Sequence, residues 1–181
     1  MHVRRCAIRL SAELGRAIVV DIRVGRHTAN YPDDFIVVFI GFRINKFWKF
    51  SEWLPVFRGA KAMTMNALKL PGQPLLHSYR VWNLDDPRTI FLIQHWRSFE
   101  ALMEWSHNKS LDHQPAMGDF MRRTGYNGVV GIWHEVYKVE KGQFEAIYAN
   151  MPQMSLAAAG DYRTLRETST AGDRMGDPKA S

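Results

Sequence analysis

Apolar residues crowd together at Phe35–Phe42, FIVVFIGF, a run of β-branched and aromatic side chains with no polar residue alternating among them. That is the pattern of a strand buried on both faces. From Trp48 to Leu70 the period changes, and Trp53, Val56, Phe57, Ala60, Met63, Ala67 and Leu70 recur at helical spacing until Pro71 and Gly72 close the helix. Leu75–Leu84 and Thr89–Trp96 flank Asp85, Asp86 and Pro87, a turn signature, so the two runs predict a hairpin. Ser98 is placed to cap a helix running through His107, with Glu100 in the first turn where the helix dipole favours a negative charge. Asn108–Ser110 break that helix, and Gln114–Arg123 resume it, Pro115 being tolerated at a helix start. Gly131–Val139 predicts a strand, and Gln143–Asn150 a further short one after Gly142.

The predicted order is strand, helix, strand, strand, helix, strand, with an extra C-terminal strand. This is the split βαβ arrangement of ferredoxin-like domains, so the fold class is α+β, ferredoxin-like βαββαβ. Helices cover only one face of such a sheet, yet its first strand is apolar on both. A bare face of that size is an association site. The economical cover is a second copy of the chain, packed sheet to sheet across a two-fold axis as a homodimer.

Around this domain, set at residues 26–159, the ends read differently. Residues 1–25 form an N-terminal arm or extension with the β-branched run Ala17–Ile22, and residues 160–181, rich in Ser, Thr, Gly and Asp, read as a disordered tail. The length of 181 residues suits one domain with such tails. Charge removes one class of partner. Of the net +6, residues 1–30 carry +4, from six Arg against Glu13 and Asp21, and residues 161–181 balance four basic groups with four acidic ones. The nearly neutral middle has no basic stripe, so no nucleic-acid partner is expected. Cys6 is the single cysteine; it excludes an intramolecular disulfide and fits a reducing compartment. Arg9, Glu13 and Arg16 interrupt every early apolar run, and Phe35–Phe42 is far shorter than a membrane span, so the chain is expected to be cytoplasmic without a membrane partner.

Histidine carries the candidate chemistry. Alternation along Thr89–Trp96 puts His95 on one face with Phe91 and Ile93, opposite Ile90, Leu92, Gln94 and Trp96. On Gly131–Val139, His134 shares a face with Ile132 and Val136, opposite Trp133, Glu135 and Tyr137. The two imidazoles could enter one cavity, or each could be a core-edge histidine satisfied by a backbone carbonyl. His107 and His113 lie six residues apart across the helix break, with no cysteine and only Asp112 nearby, which matches no zinc spacing; no metal site is expected. A haem axial ligand needs one imidazole and an apolar wall, which Met117, Phe120 and Met121 could supply, although Met and aromatic residues at helical spacing are more often packing. Tyr79, Tyr137 and Tyr148 could give pocket hydroxyls, and Arg43, Asn45 and Lys46 end the first strand where an anionic group could meet them. GxGxxG, GxxxxGK, GxSxG and CxxC motifs are absent, so nucleotide-binding, flavin and nucleophile-elbow readings have no support.

The runs VVFIGFRINKFWKFSEWLPV, HWRSFEALMEWSH, GIWHEVYKV and FEAIYANMP resemble, in that order, a bacterial monooxygenase-like family, catalogued as a domain of unknown function, in the dimeric α/β-barrel superfamily. The resemblance covers about Arg26 to Gly160 and implies a ferredoxin-like domain that dimerises through its sheets. Related barrels include cofactor-free monooxygenases of polycyclic aromatic substrates, haem-degrading enzymes and haem-dependent aldoxime dehydratases. The run from Trp96 through Phe120 also resembles the dehydratase segment holding the proximal haem histidine, which by that match is His113. The chain departs from the dehydratases in having about half their length and one barrel domain where they have two.

Three functions follow as expectations. The first is a homodimeric enzyme without cofactor that oxygenates a hydrophobic, aromatic small molecule in an apolar cavity. His95 or His134 would be the base, with Trp96, Trp133, Tyr137, Met117 and Phe120 as pocket walls. The second is a haem protein ligated by His113. The third is a non-catalytic ligand-binding dimer.

Overall fold

The computed structural model describes residues 21–111, 113–125, 127–165 and 170–175. In chain order these form β1 (Ile22–Asn30), β2 (Phe35–Ile44), α1 (Phe50–Ala67), β3 (Leu75–Trp82), β4 (Thr89–Trp96), α2 (Phe99–His107) and α3 (His113–Arg123). They continue through β5 (Val130–Val139), β6 (Tyr148–Pro152), α4 (Leu156–Ala159), β7 (Asp161–Thr164) and α5 (Ala171–Arg174). Two compact units result: residues 33–140, and the described residues of 1–32 together with 141–181.

The unit of residues 33–140 is the ferredoxin-like α+β domain. Its antiparallel sheet has the order β3-β4-β2-β5, so the doubly apolar β2 sits inside, paired with β4 on one side and β5 on the other. Residues paired directly across strands share a face. Ile36, Val38, Ile40, Leu75 and Trp96 face the helices and pack with Ala67, Trp105, Met63 and Leu102 into the core. Ser98 caps α2 as its sequence position predicts, its Oγ accepting from the Ala101 amide at 3.1 Å. The helix predicted from Trp48 starts later, at Phe50, because a turn intervenes in which the Lys49 amide donates to the Lys46 carbonyl at 3.1 Å and the Trp53 indole donates to the Phe47 carbonyl at 2.9 Å.

The other unit corrects the reading of both ends. Of the expected N-terminal arm, Ile22 onward is already strand β1; the first twenty residues, with Cys6, lie outside the described residues. The extra C-terminal strand exists, but over Tyr148–Pro152 rather than Gln143–Asn150, and it joins β1 in a separate sheet of order β6-β1-β7. Part of the expected disordered tail is also ordered. Asp161–Thr164 is β7, with Thr28 opposite Arg163 and Asn30 opposite Asp161. Its polar composition gives no apolar period; the strand forms because its backbone completes the ladder on β1, while Tyr162 stacks on His27 at 5.0 Å and Arg23 lies over the same ring. Residues 166–169 and 176–181 are outside the described residues.

Candidate functional site

The sheet face of the 33–140 unit that points away from its helices gathers aromatic side chains and two histidines. Three cross-strand rows build it: His77, His95, Val37 and Tyr137; then Tyr79, Ile93, Phe39 and Glu135; then Val81, Phe91, Gly41 and Trp133. Gly41 has a specific function in this surface. A Cβ there would come within 2.7 Å of both the Phe91 Cβ and the Trp133 Nε1, so only glycine lets the indole lie across β2 toward Phe91, with ring centres 6.0 Å apart. Phe39 meets Tyr137 edge-on at 5.8 Å, and the Tyr137 hydroxyl donates to Glu135 Oε2 at 2.6 Å, which holds that phenol protonated above its ordinary range.

His95 sits at the end of this surface, 4% exposed, with the Phe35 ring 6.1 Å away. Its Nδ1 is buried and has no hydrogen-bond partner among the described residues. Burial first, and the neighbouring His77 second, push its pKa down from 6.5 to about 4, and burial lowers that of His77 as well. Both imidazoles are therefore neutral at physiological pH. An uncommitted nitrogen in an aromatic setting can accept a proton from, or hydrogen-bond to, a bound molecule.

The same depression makes folding pH-dependent. Between pH 6.5 and about 4 the unfolded chain holds a proton on this imidazole that the folded chain does not. Stability is therefore fully present above 6.5 and is lost as pH falls toward 4, by on the order of 3 kcal/mol. Urea midpoints measured across that window should fall with pH, and His95→Leu should flatten the decline.

The structure separates the residues that the sequence grouped. His134 pairs with Ile40, which pairs with Leu92, so it lies on the opposite sheet face from His95 and is exposed on the edge strand β5. The two histidines cannot share a cavity within one chain's sheet. Trp96 is a core residue rather than a pocket wall: it is fully buried, 5.0 Å from Trp105, with its indole donating to Gln94 Oε1 at 3.0 Å. Trp133 and Tyr137, in contrast, share the His95 face. His77 was missed, although the hairpin register that its turn imposes puts it directly beside His95.

His113 starts α3, with Nδ1 2.8 Å from the Ser106 carbonyl and its ring 4.9 Å from Trp105; His107 likewise holds the Met103 carbonyl at 2.9 Å. A nitrogen so fixed leaves the other free, the posture of a ligating histidine. The wall expected for haem is missing, however. α3 has no buried side chain among its described residues, Met117 is 42% exposed, and Phe120 is only partly buried. A groove of about 380 Å³ beside Trp105 is lined by Leu70, Pro74, Arg97, Glu104 and Asn108, not by His113, Met117 or Phe120. These residues do not fit a haem plane. Among the described residues no group of three or more His, Cys, Asp or Glu is placed to hold a metal ion, and no helix is long and apolar enough to cross a membrane.

Solved structures share this fold. Aldoxime dehydratase OxdRE in complex with butyraldoxime aligns at 14% identity and a TM-score of 0.60, covering 94% of this chain and 47% of that one. A second aldoxime dehydratase aligns at 20% identity and 0.57, covering 76% and 42%. The chain thus spans less than half the length of these dehydratases. SnoaB, a cofactor-independent oxygenase from Streptomyces nogalater, aligns at 10% identity and 0.43, covering 60% of this chain and 95% of that one. At such identities the likeness to the two dehydratases is one of fold alone. No curated protein matches the sequence. The family model described as Monooxygenase af470-like matches residues 35–156, which hold the whole βαββαβ unit and the His77–His95 face, and the chain belongs to that monooxygenase-like family.

Proposed function

We propose that the chain is an oxygenase of hydrophobic aromatic molecules that works without a cofactor, its substrate lying on the sheet face of Phe91, Trp133, Phe39 and His95. The observation that carries this reading is the buried imidazole of His95, its Nδ1 without a hydrogen-bond partner among the described residues, at the edge of an aromatic floor. A planar substrate would stack on Trp133 and Phe91, which supply orientation and exclude water. His95 would take a proton from an acidic methylene beside a ring carbonyl or phenol. Its low basicity is offset because the anion it creates stays beside the imidazolium and stabilises it. The carbanion passes an electron to O₂, the two radicals join in a C–O bond, and the peroxide anion takes back the proton held by the His95 imidazolium. Loss of water from the resulting hydroperoxide breaks the O–O bond and the second C–H bond to leave a ketone. The sum, CH₂ plus O₂ to C=O plus H₂O, takes all its electrons from the substrate.

A second copy of the chain, packed on this face, completes the cavity in this reading. Oxygen uptake with a panel of anthrone-like phenols is the test. One O₂ consumed per ketone formed, with one ¹⁸O retained from ¹⁸O₂, is the expected result. No uptake across the panel by purified dimer would overturn it. A Soret band on haem titration, lost in His113→Ala, would move the assignment to a haem protein.

A further inference from the structure

The groove of about 380 Å³ beside Trp105 shares no lining residue with the three rows of the His95 face. One wall is α2. Ala101, Glu104, Trp105 and Asn108 follow at i, i+3, i+4 and i+7, a single stripe of the helix and its cap, and all four line the groove. A second wall is the turn from Leu70 to Pro74, held by the Gln73 amide on the Leu70 carbonyl at 3.1 Å and the Arg97 amide on the Pro74 carbonyl at 2.9 Å. Both walls are therefore preformed, and between them Leu70, Leu111 and the buried Trp105 make the lining largely hydrocarbon.

Two opposite charges stand on this lining without neutralising each other. Arg97 and Glu104 form no ion pair, with each other or with another described residue. The Arg97 Nε donates to the Gly72 carbonyl at 3.1 Å. That bond fixes the plane of the guanidinium and leaves its two terminal nitrogens uncommitted, a fork that fits a carboxylate. Asn108 Oδ1 accepts from the Ser110 amide at 3.0 Å and from the Ser110 hydroxyl at 2.5 Å, so its side-chain NH₂ is left to donate. From Ser98, beside Arg97, to Glu104 the helix rises about 9 Å, which sets the two charges toward different ends of the stripe.

A neutral apolar ligand here would desolvate both charges and pair neither, and an ion of one sign would leave the other unanswered. We propose that the groove binds a small zwitterion with an apolar body: its carboxylate on the Arg97 fork, its ammonium on Glu104 and its hydrocarbon against Trp105 and Leu70. A dipeptide with apolar side chains has the right dimensions. Its two residues span about 7 Å between the charged ends, and the Arg97 and Glu104 side chains close the remaining distance. The site is independent of the oxygenase reading, since it uses the other side of the sheet.

The test is calorimetric titration of the full chain with leucyl-leucine, its N-acetyl form and its C-terminal amide. Leucyl-leucine should bind, and each capped form, lacking one charge, should bind about tenfold more weakly. Glu104→Gln should remove the preference over the N-acetyl form alone, and Arg97→Gln the preference over the amide alone, with unchanged circular dichroism. That pairing of each side chain with one terminus is not produced by a general loss of structure. If Arg97→Gln loosens the turn at Gly72, the exposed Glu104, which holds no side-chain partner among the described residues, carries the test by itself. The proposal is overturned if leucyl-leucine gives no binding up to millimolar concentration. It is equally overturned if both capped forms bind as well as the free dipeptide, or if Glu104→Gln keeps the wild-type preference.

Discussion

His95→Ala should lower kcat for the oxygenated substrate by about 10²–10⁴-fold, the usual worth of a positioned general base, with KM little changed. Stability should move the other way. The buried Nδ1 of His95 has no partner among the described residues, so His95→Leu, which fills the site without a polar atom, should be neutral or stabilising by about 1 kcal/mol near pH 7. Activity lost while stability holds is the signature of a group kept for chemistry. A parallel loss of both in His95→Leu would make His95 a packing residue. His134→Ala is the control: that imidazole is exposed on the opposite face, and its removal should leave kcat unchanged. Steady-state oxygen consumption and urea unfolding of the same three variants decide the matter.

Trp96→Ala should be the most damaging single change to the fold, at about 3–5 kcal/mol. Trp96 is fully buried at the centre of the core, and its loss would leave both a cavity beside Trp105 and an unpaired buried Gln94. Domains of ordinary stability hold about 5–15 kcal/mol, so the variant would keep little margin. Trp96→Phe should cost less, since it keeps much of the volume and loses the indole donor. Urea midpoints of the two variants rank these effects. A Trp96→Ala midpoint equal to wild type would place the core elsewhere.

The βαββαβ order was legible because each element carries a local signal: the unbroken apolar run of β2, the Asp85–Pro87 turn and the Ser98 cap. β7 was not legible because its stability comes from a ladder on β1, far away in sequence, and not from its own side chains. The histidines show a different limit. Alternation tells which residues share a face within one strand, but which face of one strand matches which of another depends on register. Val37 opposite His95 and Ile40 opposite His134 differ by three positions, an odd number, and that alone puts the two imidazoles on opposite sides. The same register made His77 invisible until its hairpin was aligned, while the shared face of Trp133 and Tyr137 was legible because their strand reads cleanly by itself.

The single hydrogen that Gly41 carries in place of a side chain also sets where one fluorophore of the domain lies. It lets the Trp133 indole lie across β2, tilted 49° to the Phe91 ring and 37% exposed. If the proposed substrate lies there, its binding should change the Trp133 share of the emission, a change that Trp133→Phe should remove while the other five Trp remain. Any larger residue at position 41 would displace the Trp133 indole and the Phe91 side chain at once, so one position sets the shape of this whole floor.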